Sequence, residues 1–124
     1  MKTSTIKDFT DLITWQKARD LALLVYKITK KFPKEEIFGL VSQIRRAAIS
    51  ISSNIAEGFA RSTVKDKNHF YQIAKGSLME VKSQILLSQE LGFFDKKEKD
   101  ILISMVELDK LLSGLIRSSR GKNA

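Results

Sequence analysis

Residues 42–61 read SQIRRAAISISSNIAEGFAR, and their apolar and polar side chains fall into two patterns with helical spacing. An apolar row recurs every three or four positions, at Leu40, Ile44, Ala47, Ile51, Ile55 and Phe59. A polar stripe recurs at the same intervals about one position out of phase, at Gln43, Arg46, Ser50, Asn54, Glu57 and Arg61. This spacing predicts a helix that packs its apolar row on a core and carries the polar stripe beside it.

Length and composition indicate a single-domain protein without disulfides or a membrane segment. With 124 residues, 43% hydrophobic and 29% charged, we expect a single domain over 1–124, with frayed ends near 1–8 and 119–124. The absence of cysteine removes disulfides and thiolate metal sites and agrees with a reducing compartment. The N-terminus has no apolar segment of signal-peptide length, and the longest apolar run, 21–26, is too short to cross a bilayer. We therefore expect a cytoplasmic protein without a membrane segment.

The start and stop signals for the first two helices surround a single proline. A first helix is predicted to begin near Asp11 or Thr14 and must end before Pro33, which cannot continue it. Pro33, followed by two glutamates, suits the first turn of a second helix, where the missing N–H is tolerated and acidic side chains are favoured. Gly39 is a potential interruption of that start.

Two further helices complete the chain. Ser62 or Thr63, with Asp66 nearby, resembles a capping box for a third helix that ends before Gly92. Its expected core row is Phe70, Ile73, Ala74, Ser77, Val81 and Ile85. Asp95 is expected to cap a fourth helix with the core row Leu102, Met105, Leu108, Leu112, Leu115 and Ile116. Four helices with short connections predict an all-α, antiparallel up-down-up-down four-helix bundle.

The net charge of +8 makes polyanions such as RNA or DNA plausible partners. In this topology the bundle end with both termini carries eight basic and four acidic residues, whereas the opposite end carries seven and six. We therefore expect phosphate contacts near the termini or along the second helix. For the adjacent arginines, Arg45 is expected to face solvent and Arg46 to make a contact. The candidate phosphate-binding residues are Arg45, Arg46, Arg61, Lys65, Lys67, Arg117 and Arg120.

No pattern in the chain indicates catalysis. His69 is the only histidine, so the repeated Glu-x-x-His pairs of a di-iron bundle cannot be built. The glycines are scattered singly, without phosphate-loop or dinucleotide-binding spacing. We expect no enzyme activity, no metal and no cofactor.

The polar stripe has three interpretations: a solvent face, a buried network within one bundle, or an interface between subunits. Small side chains allow another backbone to come close, and an asparagine can fix the register of packed helices. These features favour an interface over bare solvent. The residues predicted to hold subunits or helices together are Trp15, Gln43, Ser50, Asn54, Glu57 and Phe59.

Three segments also resemble a known family: residues 9–33, residues 39–61 with the RRAA and NIAEG blocks, and residues 70–92. They look like the bacterial proteins encoded in intervening sequences of 23S ribosomal RNA genes. The resemblance implies a left-handed four-helix bundle that forms a ring-like homopentamer with no assigned enzymatic activity. It also extends to an accessory protein of diversity-generating retroelements, a similar basic pentamer that binds nucleic acid. The family often has proline where this chain has Ser52, so a kink there is in question.

The functional prediction is a non-catalytic homo-oligomer, pentameric by the resemblance, whose basic surface binds RNA or other nucleic acid through phosphate contacts. Several copies of a weak patch would act together on one ligand. The alternative is a scaffold that recruits a protein partner, in which case the positive charge is incidental.

Overall fold

The computed structural model describes residues 6–95 and 98–121, except for the side chain of Arg120. Within these ranges the chain forms four long helices: α1 (Ile13–Thr29), α2 (Ser42–Ala60), α3 (Val64–Glu90) and α4 (Asp100–Gly121). The described ranges contain no strand. The predicted all-α four-helix bundle is therefore confirmed. The predicted frayed ends lie partly outside the described residues, at 1–5 and 122–124, and the single-domain assignment stays a prediction.

Each helix turns one row of apolar side chains toward a shared core. The helix α2 contacts α1 and α3, and α4 contacts α3 and α1, so every helix has two neighbours. The largest completely enclosed side chains come from all four helices: Tyr71, Leu21, Ile44, Ile51, Ile55, Leu78, Ile85, Ile101, Leu108, Leu112, Val25 and Val81. The up-down-up-down topology and the left-handed sense of the bundle stay predictions.

The helix α2 begins later than Pro33. A short 3-10 turn (Lys34–Glu36) and a wider helical turn (Ile37–Val41) precede it, and Gly39 has φ −113° and ψ −108°, outside the helical region. The regular helix therefore starts at Ser42. The proline and the glutamates do open helical structure, but Gly39 breaks it, so the expected interruption is confirmed. This break turns Phe38 outward, where it is 97% exposed.

The ends of α3 follow the predicted signals. Thr63 is the N-cap, and its Oγ1 accepts a hydrogen bond from the backbone N–H of Asp66 at 3.1 Å. Gly92 lies just beyond the helix with φ 79°, the left-handed conformation that favours glycine at a helix C-terminus. The predicted cap of α4 is wrong, because that helix begins at Asp100, five residues after Asp95.

The core row of α3 matches the expected row only in part. Ala74, Val81 and Ile85 are buried as predicted, whereas Ile73 is 39% exposed. The remaining buried positions of this helix are Tyr71, Leu78 and Ser88. In α2, by contrast, the core residues match the predicted apolar row, and the helix continues without interruption through Ser52, whose Oγ donates to the Ile49 carbonyl oxygen at 3.1 Å.

Candidate nucleic-acid interface

The middle of the polar stripe lies in the contact between α2 and α3. Ser50 Oγ and Ser77 Oγ are hydrogen-bonded at 2.8 Å across the two helices. Asn54 Nδ2 donates to the carbonyl oxygen and to the Oγ of Ser50, at 2.8 and 3.0 Å. All three side chains are half-buried. Of the three interpretations, this part of the stripe fits a polar network within one bundle, while Gln43, at the stripe's N-terminal end, is exposed.

Two aromatic residues predicted to hold subunits or helices together pack on the bundle's own core. Trp15 and Phe59 are partly buried against core side chains. The Trp15 ring meets Phe9 edge-on at 5.2 Å, and the Arg19 guanidinium lies 5.5 Å from its centre. These side chains therefore join helices, and any contact that they make between subunits stays a prediction.

Lys67 binds the C-terminal end of α2. Its Nζ donates to the Phe59 carbonyl oxygen at 2.8 Å and approaches the Gly58 carbonyl oxygen at 3.4 Å. The same ammonium lies 5.4 Å from the centre of the Phe59 ring. Carbonyls in the last turn of a helix lack helical partners and carry partial negative charge, so a cation is favoured there. Lys67 therefore has a structural role within the bundle, which the count of charges did not indicate.

A close helix crossing lies beside this lysine. Tyr71, only 2% exposed, places its ring against Gly58, where an added Cβ would come within 2.5 Å of the ring atom Cε1. Only glycine fits this contact without displacement of the ring. Burial raises the pKa of the Tyr71 hydroxyl above its ordinary value of 10.0, because the phenolate would lose its hydration.

Arg61, just after α2, is exposed but has partners. Its guanidinium is 2.8 Å from the Glu57 carboxylate and 4.7 Å from the centre of the Phe70 ring. Both side chains of the ion pair are about half exposed. The predicted helix-stabilising pair between Glu57 and Arg61 is therefore present, and a phosphate at Arg61 would compete with this carboxylate.

The adjacent arginines are arranged in the opposite way to the prediction. Arg45 Nε donates to Thr29 Oγ1 at 2.9 Å, and its guanidinium stacks 4.4 Å from the centre of the Tyr26 ring. Thr29 Oγ1 in turn donates to the Val25 carbonyl oxygen at 2.7 Å, which fixes its position at the end of α1. Arg46 is exposed. Arg45 therefore ties α2 to α1, and Arg46 is the arginine that faces solvent.

The other predicted phosphate-binding residues lie near the ends of α3 and α4. Lys65 near the start of α3 and Arg117 near the end of α4 are exposed. The side chain of Arg120 lies outside the described residues. The structure thus leaves Arg46, Lys65 and Arg117 on the solvent-facing surface, with Arg46 toward the other end of α2.

A surface depression that was not predicted from the sequence lies at the N-terminal end of α2. It has a volume of about 480 Å³ and is lined by Tyr26, Ile37, Phe38, Val41, Ser42, Arg45, Arg46 and Ile49. Four of its apolar side chains are exposed by 37% or more, led by Phe38. The glycine directly after Phe38 is the local signal for this turn, because a helix break there removes Phe38 from the helical row.

The described residues give no sign of a metal site or of a membrane span. Within the described ranges, no three His, Cys, Asp or Glu side chains come together in a way that could hold a metal ion. His69 is exposed, and its ring lies edge-on to Phe70 at 5.2 Å. None of the helices in the described part of the chain is long and apolar enough to span a bilayer.

The fold and its surface define the chain as a small basic protein of the four-helix-bundle class. The family model described as 23S rRNA-intervening sequence protein matches residues 10–114. The chain therefore belongs to this family, as the resemblance predicted. A comparison with curated protein sequences gave no match.

Proposed function

We propose that this protein is a cytoplasmic, non-catalytic homo-oligomer, pentameric by family resemblance, that binds RNA or other nucleic acid through phosphate contacts. The observation that carries the proposal is its charge: 22 lysines and arginines against 14 aspartates and glutamates, a net charge of +8. Neutralising phosphates releases condensed counterions, so a protein with this surplus gains affinity for any nucleic acid at low salt.

The exposed cations support the same proposal. Arg46, Lys65 and Arg117 face solvent on three different helices. Lys67 and Arg45, by contrast, are held by carbonyl, hydroxyl and aromatic groups of the bundle itself. We therefore assign phosphate contact to the first three residues and structural roles to Lys67 and Arg45.

Outward apolar side chains support self-association. Leu23 on α1, Leu87 on α3 and Ile103 on α4 are 64%, 51% and 57% exposed. Apolar surface of this kind is stabilised when a second copy covers it. Each added copy also repeats the cationic surface, so a ligand that spans several copies binds more tightly than one copy could bind it.

The first test is the mass of the assembly in solution. Light scattering coupled to size exclusion, at several protein concentrations, should give five times the chain mass of 14.1 kDa. A monomer over the whole concentration range would overturn the oligomer and the argument from multiple copies. Another stable multiple would keep self-association and replace only the pentamer.

The second test is a salt titration of binding to labelled RNA and DNA. We expect affinity to fall steeply as salt rises, with a slope that reports the number of phosphates neutralised. Arg46→Glu, Lys65→Glu and Arg117→Glu should each weaken binding and reduce that slope by about one. Lys99→Glu, at an exposed lysine outside the three proposed phosphate contacts, is the matched control and should change binding least.

The same titration separates nucleic-acid binding from the scaffold interpretation. The nucleic-acid proposal would be overturned if the protein did not bind at low salt, or if its affinity did not change with salt concentration. Binding weakened equally by Lys99→Glu and by the three test variants would show a general effect of charge and would overturn the assignment of individual residues.

A further inference from the structure

The depression at the N-terminal end of α2 combines an exposed aromatic ring with two arginines. Phe38 is 97% exposed, and Ile37 and Ile49 beside it are 49% and 46% exposed. A phenylalanine left almost completely in water contributes nothing to the core, and a cluster of such side chains usually marks a binding surface. Its volume of about 480 Å³ falls within the range of about 300–1,000 Å³ seen for ligand sites.

The charged groups of the depression have one sign. Among the described residues that line it, Arg45 and Arg46 are the ionised side chains, and there is no carboxylate. Glu35 and Glu36 lie in the preceding turn but are not part of the lining. An occupant therefore meets positive charge and apolar surface together, which fits an anion that also carries a flat apolar group.

The arginines contribute in different ways. Arg45 is held by Thr29 Oγ1 at 2.9 Å and stacks on Tyr26 at 4.4 Å, so its position is fixed before any ligand arrives. Arg46 is exposed and free of the core, and its long side chain can follow a phosphate. Surfaces that bind single-stranded nucleic acid typically combine aromatic rings with positively charged side chains, as Tyr26, Arg45 and Arg46 do here.

We propose that this depression binds single-stranded nucleic acid, with an unpaired base stacked on Phe38 and an adjacent phosphate on Arg46. The inference rests on the proposed function and specifies the substrate class. In a duplex the base faces are covered by their neighbours, so Phe38 can stack only on a base in a single strand, loop or bulge. A second copy of this chain is the competing occupant, and the assembly mass of the Phe38→Ala protein distinguishes it from a nucleic acid.

The test compares a labelled single-stranded oligouridine with a duplex RNA of the same length, at low salt, by fluorescence anisotropy. Wild-type protein should bind the single strand more tightly. Phe38→Ala should reduce that affinity by roughly 5- to 150-fold, the range reported for loss of one base–aromatic stack, with little change for the duplex. Ile13→Ala, which removes a 54% exposed apolar side chain from the start of α1, is the matched control and should leave both affinities unchanged.

Two further variants distinguish stacking from apolar docking. Phe38→Trp should retain the affinity, and the indole fluorescence should be quenched when the oligouridine binds. Phe38→Leu keeps an apolar side chain but has no π face, so it should lose single-strand affinity while the assembly mass stays that of the wild type. If Phe38→Leu retains the affinity, stacking is overturned. If Phe38→Ala lowers the assembly mass, the occupant is a second copy and the proposal is wrong.

The outcome for the wild type separates this inference from the proposed function. Salt-dependent binding that is equal for single strand and duplex, and unchanged in Phe38→Ala, overturns the inference and leaves the proposed function standing. Absence of binding to both probes at low salt overturns the two together.

Discussion

The two ends of α2 place cationic and aromatic side chains in opposite situations. At the C-terminal end, Lys67 donates to backbone carbonyls and Tyr71 fills the space above Gly58. At the N-terminal end, Phe38 and Arg46 face water beside the break at Gly39. Lys67 and Tyr71 therefore hold helices together at one end of α2, whereas Phe38 and Arg46 at the other end make no contact of this kind with the described residues.

This difference shows what a count of charges leaves out. Lys67 and Arg46 contribute equally to the net charge, but the ammonium of Lys67 already replaces the hydrogen-bond partners missing at a helix terminus. A phosphate would have to compete with those carbonyls. The bundle end with the most basic residues in the sequence therefore uses at least one of them, Lys67, to stabilise the fold.

The largest expected effect comes from Gly58→Ala. The added Cβ would lie 2.5 Å from Cε1 of the Tyr71 ring and 3.1 Å from the backbone carbonyl oxygen of Lys67, so the ring and the helix crossing must both shift. We expect a loss of about 2–3 kcal/mol in the free energy of unfolding, measured by urea denaturation. Gly76→Ala, at a helical glycine with open space around it, is the control and should gain about 0.5–1 kcal/mol. Equal effects of the two changes would contradict the close packing.

The next effect is expected for Lys67→Met, which keeps an unbranched apolar side chain but removes the donor. The carbonyls of Phe59 and Gly58 would lose a charged partner, so we expect a loss of about 1–2 kcal/mol in the free energy of unfolding. Lys65→Met, at an exposed position two residues earlier, should change stability by less than about 0.5 kcal/mol. A Lys67→Met protein as stable as the wild type would remove the structural role of this lysine.

The burial of Tyr71 leads us to expect that the protein loses stability at alkaline pH. Because burial raises its folded-state pKa above 10.0, the folded protein retains a proton that the unfolded chain releases. The resulting contribution is complete below pH 10.0 and is lost as the pH rises through the folded pKa, by at most about 1.4 kcal/mol per pH unit. Urea denaturation across this range should show a shallower decline for Tyr71→Phe than for wild type. Parallel declines would contradict the prediction.

The smallest effect is expected at the other end of α2. Because Phe38 is 97% exposed, Phe38→Ala should change the free energy of unfolding by less than about 0.5 kcal/mol. The measurement is the same urea denaturation, with Phe32→Ala as a contrast, because Phe32 is 6% exposed and should cost about 3 kcal/mol or more. A strongly destabilised Phe38→Ala protein would mean that the ring serves the fold and not a ligand.

Helix α2 shows what periodicity predicts well. Its apolar row has polar residues on both flanks, so only one face can point inward, and Ile44, Ile51 and Ile55 are completely buried. Helix α3 is less decisive, because it also carries apolar side chains that end up exposed, among them Met79 and Leu87. Several faces of that helix satisfy the same spacing, so the sequence predicted only part of its core row, and Tyr71 and Leu78 are buried instead of Phe70 and Ser77.

The errors at the candidate site have a tertiary cause. Adjacent residues on a helix point about 100° apart, which separates Arg45 from Arg46 but does not say which of them meets α1. That choice depends on where Thr29 and Tyr26 lie once the helices pack. Likewise, the partnership of Lys67 with the end of α2 depends on the turn between α2 and α3. Neither contact has a signal in local sequence.

Because of the break at Gly39, exposed Phe38 is not subject to the packing constraints that act on the core residues of α2. Regular α2 starts only at Ser42, and residue 38 lies outside the packed interior. Substitutions at position 38 should therefore leave the bundle intact, and under the proposal they would change ligand preference without a change of architecture.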